Sequence, residues 1–220
     1  MNRVRFAPGE FYHLYNRGTE KRKIFLSKRD YERFLALLYL GNSKKAVHLD
    51  DLFKSPRGFT LRKVLEIRER GETLVELAAY CLMQNHFHLL LKQGTDDGIM
   101  KYIRHLINSY VHYVNVKYKR IGPLFQGRFK NVLVESDEQL LHLSRYIHLN
   151  PFVSGLVTDL ALYPWSSYNE HLGVSSGGIC NPQLVLDHFS SPEAYKDFVN
   201  DHAEYARSID AIKHLTIDEE

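Results

Sequence analysis

Apolar and polar positions along this chain mark out a short series of strands and helices. The segment Phe11-Tyr-His-Leu-Tyr-Asn-Arg17 is aromatic, partly alternating and stopped by Gly18, which predicts a strand. Behind a Ser-Lys-Arg-Asp start, Phe34, Leu35, Leu37 and Leu38 predict a helix from Ser27 to Leu40, capped by Ser27 and closed by Gly41. Residues 42–60, with Pro56 and Gly58 among polar neighbours, read as a loop or irregular insertion, and Leu61–Arg70 as a short helix ended by Gly71. Thr73–Met83 and His86–Lys92 are almost continuously apolar and are separated by Gln84-Asn85. They predict adjacent strands joined by a tight turn, in which Asn tolerates left-handed backbone.

Further on, Ile99, Ile103, Leu106, Ile107, Tyr110 and Val114 recur at helical spacing, so Asp97–Lys119 reads as a long amphipathic helix. Ile121–Gly127 is a loop by its Gly and Pro, and Phe129–Glu135 a strand. Ser136 has capping chemistry, and the helix that it opens should run to about Asn150, because Pro151 disfavours helical geometry in the residue before it. Tyr163–Tyr168 reads as a loop, and Pro182–Phe189 and Pro192–Arg207 as helices opened by proline. The order β, α, β-β, α, β, α suits an α+β, ferredoxin-like (RRM-like) antiparallel sheet with helices on one face, followed by a C-terminal helical extension over residues 166–220.

Composition narrows the class. A chain of 220 residues, 44% hydrophobic and 25% charged, can bury a core without a metal or disulfide staple. No apolar stretch reaches the ~20 residues that span a bilayer, and the basic N-terminus has no apolar segment behind it to make a secretion signal, so a cytoplasmic location is expected. Cys81 and Cys180 lack CxxC partners, which argues against a zinc ribbon or a disulfide framework. The net charge of +3 and pI near 8.7 say less than their distribution does. Arg17, Lys21, Arg22 and Lys23 cluster early, and Lys117, Lys119, Arg120, Arg128 and Lys130 cluster centrally among Tyr118, Phe125 and Phe129, a mixture that suits single-stranded nucleic acid.

Candidate chemistry begins with His86-Phe87-His88. On a strand the two imidazoles share a face while Phe87 points the other way. Two readings are open: half of a metal site, or histidines hydrogen-bonded on a half-buried strand. On the helix opened by Ser136, His142, Tyr146 and Asn150 form a row at four-residue spacing, beside an apolar flank of Leu140, Leu143 and Ile147. By itself Tyr146 reads first as a packed aromatic. An amide oxygen from Asn150 would complete a His, His, Asn set, which suits Mg²⁺ or Mn²⁺ better than a structural zinc. A zinc hydrolase with histidines at i, i+4 and an adjoining Glu is not indicated.

Four segments together, Phe11-Tyr-His-Leu-Tyr-Asn-Arg-Gly18, His86-Phe87-His88, Gly122-Pro-Leu-Phe-Gln-Gly-Arg128-Phe and Ser144-Arg-Tyr146-Ile-His-Leu-Asn150-Pro151, resemble the REP-associated tyrosine transposases. These are relatives of the single-tyrosine insertion-sequence transposases in the HUH endonuclease superfamily. The resemblance covers about Phe11 to Trp165 and departs from the family where Gln84 replaces a common proline. It implies a catalytic domain over residues 1–165, with Tyr146 as the nucleophile and His86, His88 and Asn150 as ligands of Mg²⁺ or Mn²⁺. The activity implied is cleavage and rejoining of single-stranded DNA beside a hairpin, through a 5′-phosphotyrosine, by a monomer or a homodimer. Arg17, Phe125, Arg128 and Lys130 are the expected DNA contacts, and His142, one turn before Tyr146, is a possible general base. The alternative is a non-catalytic module that binds single-stranded nucleic acid on the same fold, which has no need of paired histidines facing a tyrosine.

Overall fold

A computed structural model describes residues 6–44, 64, 71–175 and 178–201. The insertion expected at 42–60 beyond Lys44, the helix expected over Leu61–Arg70 apart from the buried Val64, the end of the last helix and the acidic C-terminus lie outside them.

Strand β1 (Phe11–Arg17) is interior, pairing antiparallel with β3 (His86–Gln93) on one side and with β4 (Lys130–Val134) on the other. β2 (Val75–Met83) completes the order β2-β3-β1-β4, the antiparallel βαββαβ arrangement expected of a ferredoxin-like fold. The connecting helices are α1 (Lys28–Leu40) and α2 (Gly98–Lys117). α3 (Asp137–Val153) follows β4, and the short α4 (Tyr168–His171), α5 (Gln183–Leu186) and α6 (Pro192–Asn200) end the described chain.

Strand alternation divides the core in two. Tyr12, Leu14, Tyr80, Leu82, Phe87, Leu89 and Leu91 join Phe34, Tyr102, Leu106 and Tyr110 of α1 and α2 in one cluster. Ala79, Cys81, Met83 and Leu90 turn the other way and join Leu140, Ile147 and Phe152 of α3, with Tyr168, Val185, Tyr195 and Val199 from the C-terminal helices. The helices therefore cover both faces, not one. The continuous apolar runs of β2 and β3 require this, because a strand buried on both sides has no polar face to give to water. The sheet edge along β2 is covered too: Leu82 N–H donates to Trp165 O at 2.9 Å, and Ser167 N–H to Tyr80 O at 3.0 Å.

Three local differences from expectation have identifiable causes. The Gln84-Asn85 turn joins β2 to β3 as expected, but neither residue is left-handed. Its carbonyls are held by tertiary contacts: Gln84 O accepts from Ile24 and Phe25 N–H, and Asn85 O from Gly18 N–H at 2.8 Å. Gly18 is needed for that approach, since a Cβ there would lie 2.3 Å from Arg22 O. Second, α3 continues through Pro151 to Val153. Leu149, Pro151 and Phe152 are buried, and that burial outweighs the hydrogen bond that proline cannot donate. Third, α2 ends two residues early, with Lys119 in the left-handed region at φ 51°.

Candidate active site

The register of β1 against β3 places Arg17 opposite His86 and Tyr15 opposite His88, so His13, Tyr15 and Arg17 share a sheet face with both histidines. α3 crosses this same face and brings Tyr146 over it. The Tyr146 ring meets His88 edge-on, with centroids 5.5 Å apart, and lies 6.3 Å from His13. His86 and His88 are 5.0 Å apart with perpendicular rings. Tyr146 is 52% exposed although it stands beside a buried seam, so it is not the packed aromatic that its position on the helix first suggests.

Hydrogen bonds define what each nitrogen can do. His86 Nδ1 lies 2.6 Å from Asn85 Oδ1, an oxygen that only accepts, so the proton sits on Nδ1 and Nε2 carries a lone pair. His88 Nδ1 lies 2.9 Å from His13 Nε2, and His88 Nε2 is buried with no hydrogen-bond partner among the described residues. The Asn150 amide nitrogen donates to Tyr146 O at 2.8 Å, and the same side chain lies against His86, so its amide oxygen is a third acceptor at this place. An orphaned imidazole nitrogen, a second imidazole lone pair and an amide oxygen are acceptors gathered without enough protons between them. They fit a divalent cation with His86, His88 and Asn150 as its protein ligands. Among the described residues no three His, Cys, Asp or Glu side chains form such a group, so the set depends on the amide.

Electrostatics favour the neutral imidazoles that a cation needs. Burial, with help from the Arg17 charge, lowers His86 to about 4 despite the hydrogen bond to Asn150. Burial, then the charges of His86, His13 and Arg17, push His88 well below its ordinary range. His13 is lowered to about 4 by burial, as is His171 in the C-terminal core. A group whose folded-state pKa is depressed gives stability that is complete above its unfolded value near 6.5 and is lost as pH falls through its folded value. His13 and His171 should therefore each cost about 3 kcal/mol by pH 4. Urea unfolding is expected to show a falling midpoint from pH 7 to pH 4; a flat profile would contradict these assignments.

The other expected residues divide. Arg17, Arg128 and Lys130 are exposed, and Lys130 lies opposite Tyr15 in the register, so Arg17 and Lys130 flank the histidine face. Phe125 is a correction: it is 5% exposed and packs edge-on against Phe87 at 5.8 Å, so its ring belongs to the core and cannot stack on a base. Its neighbours Gly18 and Arg17 explain this, since the loop pairs with the end of β1 through Gly18↔Phe125 and Gln126 N–H to Arg17 O. His142 contacts Arg145, Glu138 and Phe198 from its place one turn before Tyr146. His13 was not singled out in the sequence. The available signal was its place two residues from Tyr15 and Phe11 on an alternating strand, but its partner depends on a register that local sequence does not show.

What holds α3 in place comes from beyond the expected domain boundary. His148, on the buried side of the helix, meets Tyr195 OH at 2.7 Å through Nδ1 and Ser167 Oγ at 2.8 Å through Nε2. Arg145 Nη1 donates to Phe198 O at 3.3 Å. Tyr146 is thus presented by a helix clamped between the sheet and the C-terminal helices of its own chain.

Residues 58–150 match the family model described as IS200-like transposase. A Haemophilus influenzae protein assigned as a REP-associated tyrosine transposase is 28% identical over 105 residues, which is 43% of this chain and 59% of that protein. The chain thus spans less than two thirds of the relative's length. A solved structure of a REP-associated tyrosine transposase bound to a REP hairpin superposes with a TM-score of 0.52 at 15% identity, covering 80% of this chain and 88% of that one, a likeness of fold. The family match spans both the paired histidines and Tyr146, so over this segment the chain is similar to the IS200-like transposases, and its fold is similar to that of a REP-associated tyrosine transposase.

Proposed function

We propose that this protein cuts and rejoins single-stranded DNA through a covalent bond to Tyr146, with a divalent cation, Mg²⁺ or Mn²⁺, held by His86, His88 and Asn150. The observation that carries the reading is the half-exposed Tyr146 ring standing over His88, whose buried Nε2 has no partner among the described residues. The bound cation would neutralise charge on the scissile phosphate. Tyr146 Oη forms a bond to phosphorus and the bond to the 3′-oxygen breaks, leaving a 5′-phosphotyrosine and a free 3′-hydroxyl. The tyrosine proton is lost to water and the leaving oxygen gains one, and because the phosphoester is conserved, a 3′-hydroxyl can reverse the step and rejoin the strand.

The substrate proposed is single-stranded DNA beside a hairpin, in keeping with the REP hairpin bound by the structural relative. Arg17, Arg128 and Lys130 supply phosphate contacts at the rim of the site. His13, His86, His88, Tyr146 and Asn150 meet within one chain, an arrangement that suits a monomer or a homodimer alike. Residues 1–165 would carry the chemistry, with Ser167, Tyr195 and Phe198 of the C-terminal extension bracing the tyrosine helix. No described helix is long and apolar enough to cross a membrane, and a DNA substrate suits the cytoplasm. The test is incubation with a hairpin oligonucleotide bearing a single-stranded flank, with Mg²⁺ or Mn²⁺ and with chelator. A denaturation-resistant protein–DNA adduct that chelator removes is expected. Cleavage that persists without cations, or no adduct under either metal, overturns the reading.

A further inference from the structure

We infer that His13 is a positioning residue for the metal site: it accepts the Nδ1 proton of His88 and so fixes the tautomer in which His88 Nε2 is free to bind a cation. The inference rests on the metal reading above and adds to it a residue from a different strand. His13 sits at the centre of β1 and is 9% exposed, its ring nearly parallel to His88 at 5.1 Å and stacked on Tyr15 at 5.0 Å. The His13 Nε2 to His88 Nδ1 contact of 2.9 Å holds one proton, which leaves two arrangements. If His13 donates, His88 Nδ1 is the acceptor, its remaining proton lies on Nε2, and that proton is buried with nothing to receive it. If His88 donates, Nε2 carries a lone pair, and the same buried atom becomes a ligand. The second arrangement resolves the orphaned nitrogen when a cation is present; the first never does.

His86 shows the same design by other means. Its Nδ1 faces Asn85 Oδ1 at 2.6 Å, so both ligand imidazoles have their far nitrogen tied to an acceptor. Such outer partners orient a ligand imidazole and raise its basicity. The two differ in kind: Asn85 is in the turn beside His86, whereas His13 reaches His88 across the β1·β3 ladder. Sheet register therefore sets the second ligand, and His13 also forms part of the floor beneath the Tyr146 ring at 6.3 Å.

The test compares His13→Phe, a ring of similar shape with no acceptor, with His13→Gln, whose amide oxygen can take the place of Nε2. Mn²⁺ binding is titrated by electron paramagnetic resonance without DNA, and the His88 tautomer is read by ¹⁵N NMR in the metal-free protein. Wild type is expected to show His88 protonated on Nδ1, and His13→Phe to bind Mn²⁺ about 10–100-fold more weakly at unchanged secondary structure, with His13→Gln recovering most of the loss. Equal Mn²⁺ affinity in wild type and His13→Phe overturns the role of His13 and leaves the metal reading standing. Wild type that binds no Mn²⁺ overturns both. If His13→Phe does not fold, the wild-type tautomer decides, since an Nε2 proton on His88 contradicts the proposal.

Discussion

Tyr146→Phe is expected to abolish covalent attachment to DNA and to lower strand cleavage by at least about 10³-fold, while leaving the protein as stable as wild type. The substitution removes one oxygen and keeps the ring that meets His88 edge-on, so the site's packing is preserved. Because the side chain is half exposed, its change falls in the class that alters stability by less than about 0.5 kcal/mol. The large loss of rate follows from the nucleophile role proposed for that oxygen: without it no bond to phosphorus can form, and only a slow background attack by water remains. A time course on denaturing gels, run beside thermal unfolding, separates lost chemistry from lost fold. Residual adduct at more than a few per cent of the wild-type level would place the nucleophile elsewhere.

Asp30→Ala is expected to destabilise the protein by about 3–5 kcal/mol without altering the chemistry of the folded fraction. Asp30 is fully buried at the start of α1 and accepts from Leu26 and Ser27 N–H at 2.9 and 2.8 Å, Lys117 Nζ at 2.6 Å, Tyr118 OH at 2.7 Å and Tyr113 OH at 2.9 Å. Burial would raise this carboxyl, yet the hydrogen bonds from Lys117, Tyr118, Leu26 and Tyr113 hold it below its ordinary range. Removal takes the shared acceptor from Lys117, Tyr113, Tyr118 and the first turn of α1 together, and Lys117 keeps only Ser27 Oγ and Tyr113 OH, so the cost exceeds the lost attraction itself. For a chain of this size the thermal midpoint should fall by about 10 °C. Calorimetry checks the shift, and adduct formation assayed well below the lowered midpoint should match wild type. A destabilisation under about 1 kcal/mol would show that the cluster is ornamental.

The bounds of β1 and the β2–β3 hairpin were legible because strand periodicity and a polar two-residue turn are local signals. The side-by-side placement of His86 and His88 was legible for the same reason. That the helix of Tyr146 and Asn150 faces them is implied by the family resemblance and not by any local pattern. Tyr146 meets His88 because α3 takes the second sheet face, and only the double-sided burial of Ala79, Cys81, Met83 and Leu90 against Tyr80, Leu82, Phe87 and Leu89 hints at that. His13 escaped notice because its role depends on cross-strand register. Phe125 reads as a stacking platform because an aromatic among cations looks alike in sequence whether it faces a base or the core. Pro151 ended the expected helix too soon because a local preference was set against the burial of Phe152, which is a tertiary effect. The clamp of His148 by Ser167 and Tyr195 joins residues 19 and 47 positions apart, beyond the reach of any pattern in the helix alone.

The tyrosine standing over the histidine pair is the group proposed to become joined to DNA. The most direct test is to trap the adduct on a hairpin oligonucleotide with Mn²⁺, digest the protein and DNA, and map by mass spectrometry the peptide that retains a 5′-nucleotide. The nucleotide is expected on Tyr146, with no adduct when a chelator replaces the metal. A nucleotide carried by any other residue, or an unmodified peptide from DNA that has nevertheless been cleaved, would contradict it.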